Sequence, residues 1–296
     1  MNELPPPAAP RPDCPDCRGR GLRFVREGEL ARAVPCACIG PCPRCQDTFL
    51  VRTDAGGAQR VLRCRCRLLP DRADLFDRIG IPAHYATADF VSFSQGALKM
   101  KAAHGDDAAS EKLGPFSRVY AWANAYDPTR ENRGLVLTGK VGRGKTHLLV
   151  ALLRHLALEK GLRTRFIEFT RLLADLRAGF DEGRSGAEVL NRLVEVPVLA
   201  IDELGKGRMT DWELSVVDEL ISRRYNALRC TLGTTNFPPG EPTGALPANL
   251  ALGEGAARQT LGDRIGERPW SRLNEMVDFI EVGGPDVREV KRTLPL

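Results

Sequence analysis

A chain of 296 residues with a formal net charge of +5 is long enough for one full α/β core and a smaller module beside it. It contains no apolar run approaching the length that crosses a bilayer. Its start, Met1 to Pro7, has neither the basic nor the apolar region of a signal peptide, so a cytoplasmic protein is expected. Structural disulfides are not expected in that compartment, yet eight of the nine cysteines fall within the first 66 residues, a clustering that calls for metal.

Residues 1–13, rich in Pro and Ala, are expected to be disordered. A tandem repeat follows over 14–69. Cys14, Cys17, Cys36 and Cys38 recur 28 positions later as Cys42, Cys45, Cys64 and Cys66. Each unit offers two close thiol pairs, the supply that tetrahedral Zn2+ needs once a hairpin brings the pairs together. The intervening segments read as such hairpins, with Leu22–Val25 and Phe49–Arg52 near their starts and Gly28 or Gly56–Gly57 near their middles. Two zinc ions are expected. Spacing leaves the ligand sets open, because Cys36, Cys38, Cys42 and Cys45 lie close enough in sequence to share one ion. The alternative, a redox-active CxxC, belongs in a βαβ context that is not visible here. Residues 1–70 hold twelve Arg, no Lys and seven acids, and eight thiolates on two zinc ions bring that excess close to neutral, which favours protein docking over a strong nucleic-acid clamp.

Residues 70–115 read as a connector. Within it Arg72 to Ile79 has the pattern of a short helix that Gly80-Ile81-Pro82 ends, and Ala97 to Lys112 suits a helix or a tether equally. The α/β domain is expected over 116–296. Arg118 to Tyr126 reads as its first helix, stopped at Asp127-Pro128.

Leu135 to Thr138 then forms a strand that hands over through Gly139-Lys140-Val141-Gly142-Arg143-Gly144-Lys145-Thr146 to an amphipathic helix from His147 to Lys160. Strand, glycine loop and helix in this order are the full context of a phosphate-binding P-loop. Gly139, Gly142 and Gly144 let successive backbone amides turn inward around phosphate oxygens. Lys145 reaches the β- and γ-phosphates, and the Thr146 hydroxyl ligates Mg2+. Gly139, Val141, Gly142, Arg143, Gly144, Lys145, Thr146 and His147 are therefore the candidate ATP-binding residues.

Thr164 to Phe169 reads as the next strand, Thr170 to Phe180 as a helix with Leu172, Leu173 and Leu176 on its inner face, and Ala187 to Val194 as another helix. Val196 to Ile201 is an apolar strand ending in Asp202-Glu203, where carboxylates stand at the carboxyl end of a parallel strand. Asp202 is expected to hold Mg2+ and Glu203 to polarise the attacking water. Asp211 to Ala227 is a long helix, and Cys230 to Thr235 a strand that ends at Asn236, a candidate sensor of the γ-phosphate. Cys230 is expected in the core. A last helical region carries Arg258, Arg264, Arg268 and Arg272, before a strand at Val277 to Val282.

Together these residues resemble the DnaC-type helicase loaders of the AAA+ ATPase superfamily and the related IstB-type transposition helper ATPases. The resemblance spans Gly80 to Val282 and rests on Gly80-Ile81-Pro82 with Tyr85, the P-loop, Phe166 to Leu173 with Leu176 and Arg177, Val198 to Gly205, Arg223 to Tyr225, Thr234 to Asn236 and Ser271 to Met276. It implies a P-loop AAA+ core, a parallel sheet flanked by helices without a helical lid, behind a small N-terminal tandem zinc-finger domain. It further implies slow, regulated ATP hydrolysis that delivers a hexameric replicative helicase of the DnaB type to single-stranded DNA, with self-association through the AAA+ domain and an arginine finger offered in trans. Arg272 fits the finger motif best and Arg264 follows. The sequence departs from the resemblance in doubling the cysteine module and in inserting Gly266 to Trp270 before Ser271. Two other readings stand beside the loader: a helper acting on duplex DNA with a transposase, and a zinc-dependent single-strand DNA-binding adaptor. Lys206, Arg208, Arg223 and Arg224 are candidate DNA contacts.

Overall fold

A computed structural model describes residues 9–55, 58–181, 186–243 and 259–287. The expected disorder of residues 1–8, the turn at Gly56-Gly57 and the place of Arg258 lie outside the described residues. The chain divides into two compact units, Met1–Thr87 and Ala88–Leu296.

The first unit is built on two antiparallel hairpins, β1 (Leu22–Glu27) with β2 (Leu30–Pro35), and β3 (Leu50–Ala55) with β4 (Ala58–Arg63). Their registers repeat at the 28-residue offset: Leu22 faces Pro35 as Leu50 faces Arg63, and Phe24 faces Ala33 as Arg52 faces Val61. The knuckles repeat too. The Arg18 and Gln46 amides donate to Cys14 and Cys42 carbonyls, and the Cys36 and Cys64 amides to Gly21 and Phe49 carbonyls.

Helix α1 (Leu68–Ile79) follows, capped by Gly80 at φ 79. Its Ala73, Phe76 and Ile79 recur every third residue and are buried. The Phe76 ring meets Phe24 at 4.7 Å, and Asp77 accepts the Ala33 amide at 2.8 Å. The start of the expected connector is thus part of the cysteine unit, because its apolar stripe has a hairpin face to cover.

The second unit opens with α2 (Phe90–Ala125), broken at Gly105, where φ is 85. Residues 90–115 are therefore helix packed on the ATPase unit rather than tether, and the expected first helix at Arg118 is the last stretch of α2. Asp89 and Ser92 form a capping box at its start. There follow β5 (Gly134–Thr138), α3 (Lys145–Leu158), β6 (Thr164–Glu168), α4 (Phe169–Asp181), α5 (Gly186–Glu195), β7 (Val198–Asp202), α6 (Asp211–Asn226), β8 (Cys230–Thr234), α7 (Leu261–Ile265), α8 (Glu267–Met276) and β9 (Val277–Glu281).

The five strands pair in parallel in the order β6-β7-β8-β5-β9. β5, β7 and β8 are buried along their whole length, as strands covered on both faces are. Leu148, Leu152 and Leu156 of α3, Leu172 and Leu176 of α4, and Leu220 of α6 are buried in the surrounding core. This α/β sheet places the carboxyl ends of β5, β8 and β7 side by side, where the loops carrying chemistry emerge. Cys230 is buried in β8. Arg224 is buried as well. It donates to the carbonyls of Leu193, Val196 and Cys230 and to the Thr231 hydroxyl, so it braces the core and cannot be the DNA contact its charge suggested.

Candidate nucleotide site and metal centres

β5 runs straight into the glycine loop, and the loop into α3. Gly139, Gly142 and Gly144 have φ of 131, 79 and 87, which glycine reaches without steric cost. Gly142 faces a second constraint, since an added Cβ would collide with the Asp286 carboxylate. Lys145, the first residue of α3, is buried, and its Nζ donates to the carbonyls of Gly139 and Lys140 at 2.8 Å each and to Asn236 Oδ1 at 2.7 Å. The P-loop lysine and the residue just past the tip of β8 therefore meet. An ammonium at the positive end of α3 makes this a site for a phosphate.

The Thr146 hydroxyl donates to Asp202 Oδ1 at 3.0 Å, joining the loop to the end of β7. Burial pushes the Asp202 carboxyl above its usual range, while the Thr234 and Thr146 hydroxyls act the other way. A buried carboxylate beside a hydroxyl is an all-oxygen donor pair of the kind Mg2+ takes, so Thr146 and Asp202 fit that ion. Glu203 follows at φ 59, and its carboxylate pairs with Lys206 at the surface. Serving as a base toward water requires it to leave that lysine. His147 turns from the nucleotide loop toward α2, where its Nε2 lies 2.9 Å from Ser92 Oγ.

Four contributors were given no role by the sequence reading. Thr234 donates to Asp202 Oδ1 at 2.6 Å and accepts the Glu203 amide at 3.0 Å, fixing both acids with one hydroxyl. Lys112 of α2, only 2% exposed, donates to the Arg143 carbonyl of the glycine loop. Burial, then the charges of Arg143 and Lys145, push its amine down to about 8. Asp286 lies against Gly142, and the Val287 amide donates to the Gly142 carbonyl at 3.0 Å. Phe93 sits beside Gly144 and stacks with Phe116 at 5.9 Å. None of the four belongs to the continuous glycine-loop motif. They arrive on other elements.

The two finger candidates differ. Arg264 is committed to its own chain, donating to the carbonyls of Gly205 and Gly207 with its guanidinium 5.1 Å from the Phe237 ring, so it braces the loop after Glu203. Arg272 pairs with Asp218 at 3.1 Å, and the more exposed Arg268 stands 3.9 Å from the same carboxylate.

The eight clustered cysteines form two sets, Cys14, Cys17, Cys36 and Cys38, and Cys42, Cys45, Cys64 and Cys66. This resolves the ligand sets that spacing left open: each hairpin closes its own tetrad, and no set crosses between repeats. Sulfurs face one another at 3.7 Å (Cys14 and Cys36), 3.5 Å (Cys17 and Cys38), 3.9 Å (Cys42 and Cys64) and 3.4 Å (Cys45 and Cys66). Tetrahedral Zn–S bonds of about 2.3 Å place sulfurs about 3.8 Å apart, so both sets fit a four-thiolate zinc ion.

Residues 117–250 match the family described as IstB-like ATP binding protein. The replicative helicase loader DnaI of Bacillus subtilis (strain 168) is 30% identical over 131 residues, 44% of this chain and 42% of DnaI. The replicative helicase loader DnaC of Escherichia coli (strain K12) is 30% identical over 109 residues, 36% of this chain and 44% of DnaC. The chain thus spans less than half the length of either. A crystal structure of the DnaC helicase loader superposes with a TM-score of 0.52 at 26% identity, covering 68% of this chain and 99% of that one.

Proposed function

We propose that this chain, which carries an IstB-like ATP-binding domain and is a relative of the DnaI and DnaC loaders, is an ATPase that delivers a hexameric replicative helicase to single-stranded DNA. The observation that carries the ATPase reading is the meeting of Lys145, Asn236, Thr146 and Asp202 at adjoining strand ends. The loader reading rests on the named relatives.

In this reading the glycine-loop amides and Lys145 hold the β- and γ-phosphates, and Lys145 exchanges its carbonyl partners for phosphate oxygens. Thr146 and Asp202 would hold Mg2+, which would supply charge neutralisation on the phosphates. Thr234 fixes the rotamer of Asp202, and Glu203, released from Lys206, orients the water. Asn236 reads the γ-phosphate and passes its presence to β8. Arg272 of α8, partly buried and paired with Asp218, is the finger offered to a neighbouring copy once it leaves that carboxylate, since Arg264 is spent on its own loop. The cysteine tetrads hold two structural zinc ions, which order the hairpins and take no part in hydrolysis.

The test is capture of the host's replicative helicase by the full-length protein in ATP. Lys145→Ala should abolish ATP binding and capture together, and single-stranded DNA should stimulate hydrolysis by the unaltered chain. Unchanged turnover in Lys145→Ala would remove the site assignment. Tight duplex binding without helicase capture would transfer the chain to the second reading, a transposition helper, which the IstB-like family match favours.

A further inference from the structure

The two repeats share a fold but not a cover. In the first, one face of the hairpin carries Leu22, Phe24 and Ala33, and α1 lies on it with Phe76 against Phe24. Cross-strand partners point to the same face, so the 28-residue offset carries that face onto Leu50, Arg52, Val61 and Arg63 of the second hairpin. There Leu50 is 52% and Val61 59% exposed, and Arg52 and Arg63 are exposed beside them. The chain's own α1 is taken by the first hairpin.

We infer that this face of the second hairpin is a docking site for an acidic amphipathic helix of a partner protein. The first repeat shows the shape of the occupant. It is a helix with an apolar residue at every third position and a carboxylate, there Asp77, that accepts the amide of Ala33. The register is the same in both hairpins, so the amide of Val61 stands off β4 as that of Ala33 stands off β2. The chemistry of the occupant follows from what differs. Where the first face has Phe24 and Pro35, the second has Arg52 and Arg63, and Arg65 follows on the exposed side of the knuckle. An apolar strip of Leu50 and Val61 between guanidiniums fits a helix that carries Glu or Asp along both margins of its apolar stripe. Such a face suits a protein helix better than nucleic acid, because two of its four side chains are aliphatic and no aromatic ring stands on it for a base to stack against.

The experiment uses the full-length, zinc-loaded protein and a fluorescent stapled helix of about 15 residues. The helix keeps the apolar spacing of Ala73, Phe76 and Ile79 and the carboxylate of Asp77, with Glu on its margins; a second version has Lys there. The acidic helix should bind and the basic one should not. Leu50→Asp with Val61→Asp should weaken binding on the order of tenfold or more, as for a truncated interface anchor. Arg52→Glu with Arg63→Glu, at exposed positions that leave the zinc ligands alone, should reverse the preference toward the basic helix. Native mass should show two zinc ions in every variant counted. The inference is overturned if the two helices bind equally, or if binding ignores both pairs of substitutions. It is also overturned if the amides of residues 50 and 61–63 are already protected from exchange in the peptide-free chain, since the face would then be covered by a second copy or by the ATPase unit.

Discussion

The two cysteine repeats are close to a controlled comparison within one chain. Their registers, knuckle hydrogen bonds and sulfur geometry coincide at an offset of 28. They differ in what surrounds that frame. The first repeat turns through Gly19 and Gly21 at φ 76 each, and α1 covers its hairpin. The second makes the same turns with Asp47 at φ 61 and Phe49 at φ 59, and its corresponding face is bare. The same four-cysteine spacing therefore goes with the same frame in both repeats, and the residues around it differ in the surface they offer outward.

Breaking one metal site at a time gives the largest expected effect. A structural four-thiolate zinc contributes on the order of 10 kcal/mol or more to ordering its module. Cys36→Ser should leave one zinc ion by native mass and release α1 with the first hairpin. Cys64→Ser should also leave one ion, yet keep α1 protected from hydrogen exchange. Equal loss of α1 protection in both would show that the repeats fold as one body and end the comparison. The next effect is smaller. Phe76→Ala removes a ring that is 1% exposed and should destabilise the first unit by about 3–5 kcal/mol, read as earlier zinc loss to a chelator in urea. Val61→Ala, at a comparable place on the bare hairpin, should shift the same measurement by less than about 0.5 kcal/mol.

Legibility in the sequence followed the range of the interaction. The tetrads were visible because each thiol pair is local, and their assignment was not, because it depends on hairpin register. The glycine loop with Lys145 and Thr146 was visible as one continuous motif, and Asp202, Glu203 and Asn236 as strand ends. The role of Thr234 was hidden because a threonine in an apolar strand looks like any other β-former. Lys112 was hidden because a lysine in an alanine-rich polar stretch reads as surface, and only the packing of α2 buries it against the Arg143 carbonyl. The same packing made residues 97–112 helix where a tether was equally acceptable. Arg224 misled in the opposite way, its charge suggesting solvent while five hydrogen-bond acceptors awaited it in the core.

Phe49 yields the smallest and most discriminating prediction. An L-residue in the left-handed region costs about 1–2 kcal/mol, so Phe49→Gly should relieve strain. Two terms oppose that gain. Glycine makes the unfolded chain freer by about 0.4–1 kcal/mol, and the Phe49 ring carries the Arg67 guanidinium at 5.1 Å, worth about 0.5–1 kcal/mol at an exposed site. The sum is close to zero, so Phe49→Gly alone should leave zinc retention in urea almost unchanged. In an Arg67→Ala background the cation–π contribution is already gone, and Phe49→Gly should then stabilise the second repeat by about 0.5–1 kcal/mol. A large loss in both backgrounds would mean that the ring is core packing, and the second repeat would then be as well supported as the first. Asp47 differs from Phe49, since its carboxylate accepts the Cys42 amide at 2.8 Å and so has its own reason to occupy a glycine-like position. Strain without such a hydrogen bond belongs to Phe49, which is why substitution there separates the cost of the turn from the worth of the ring.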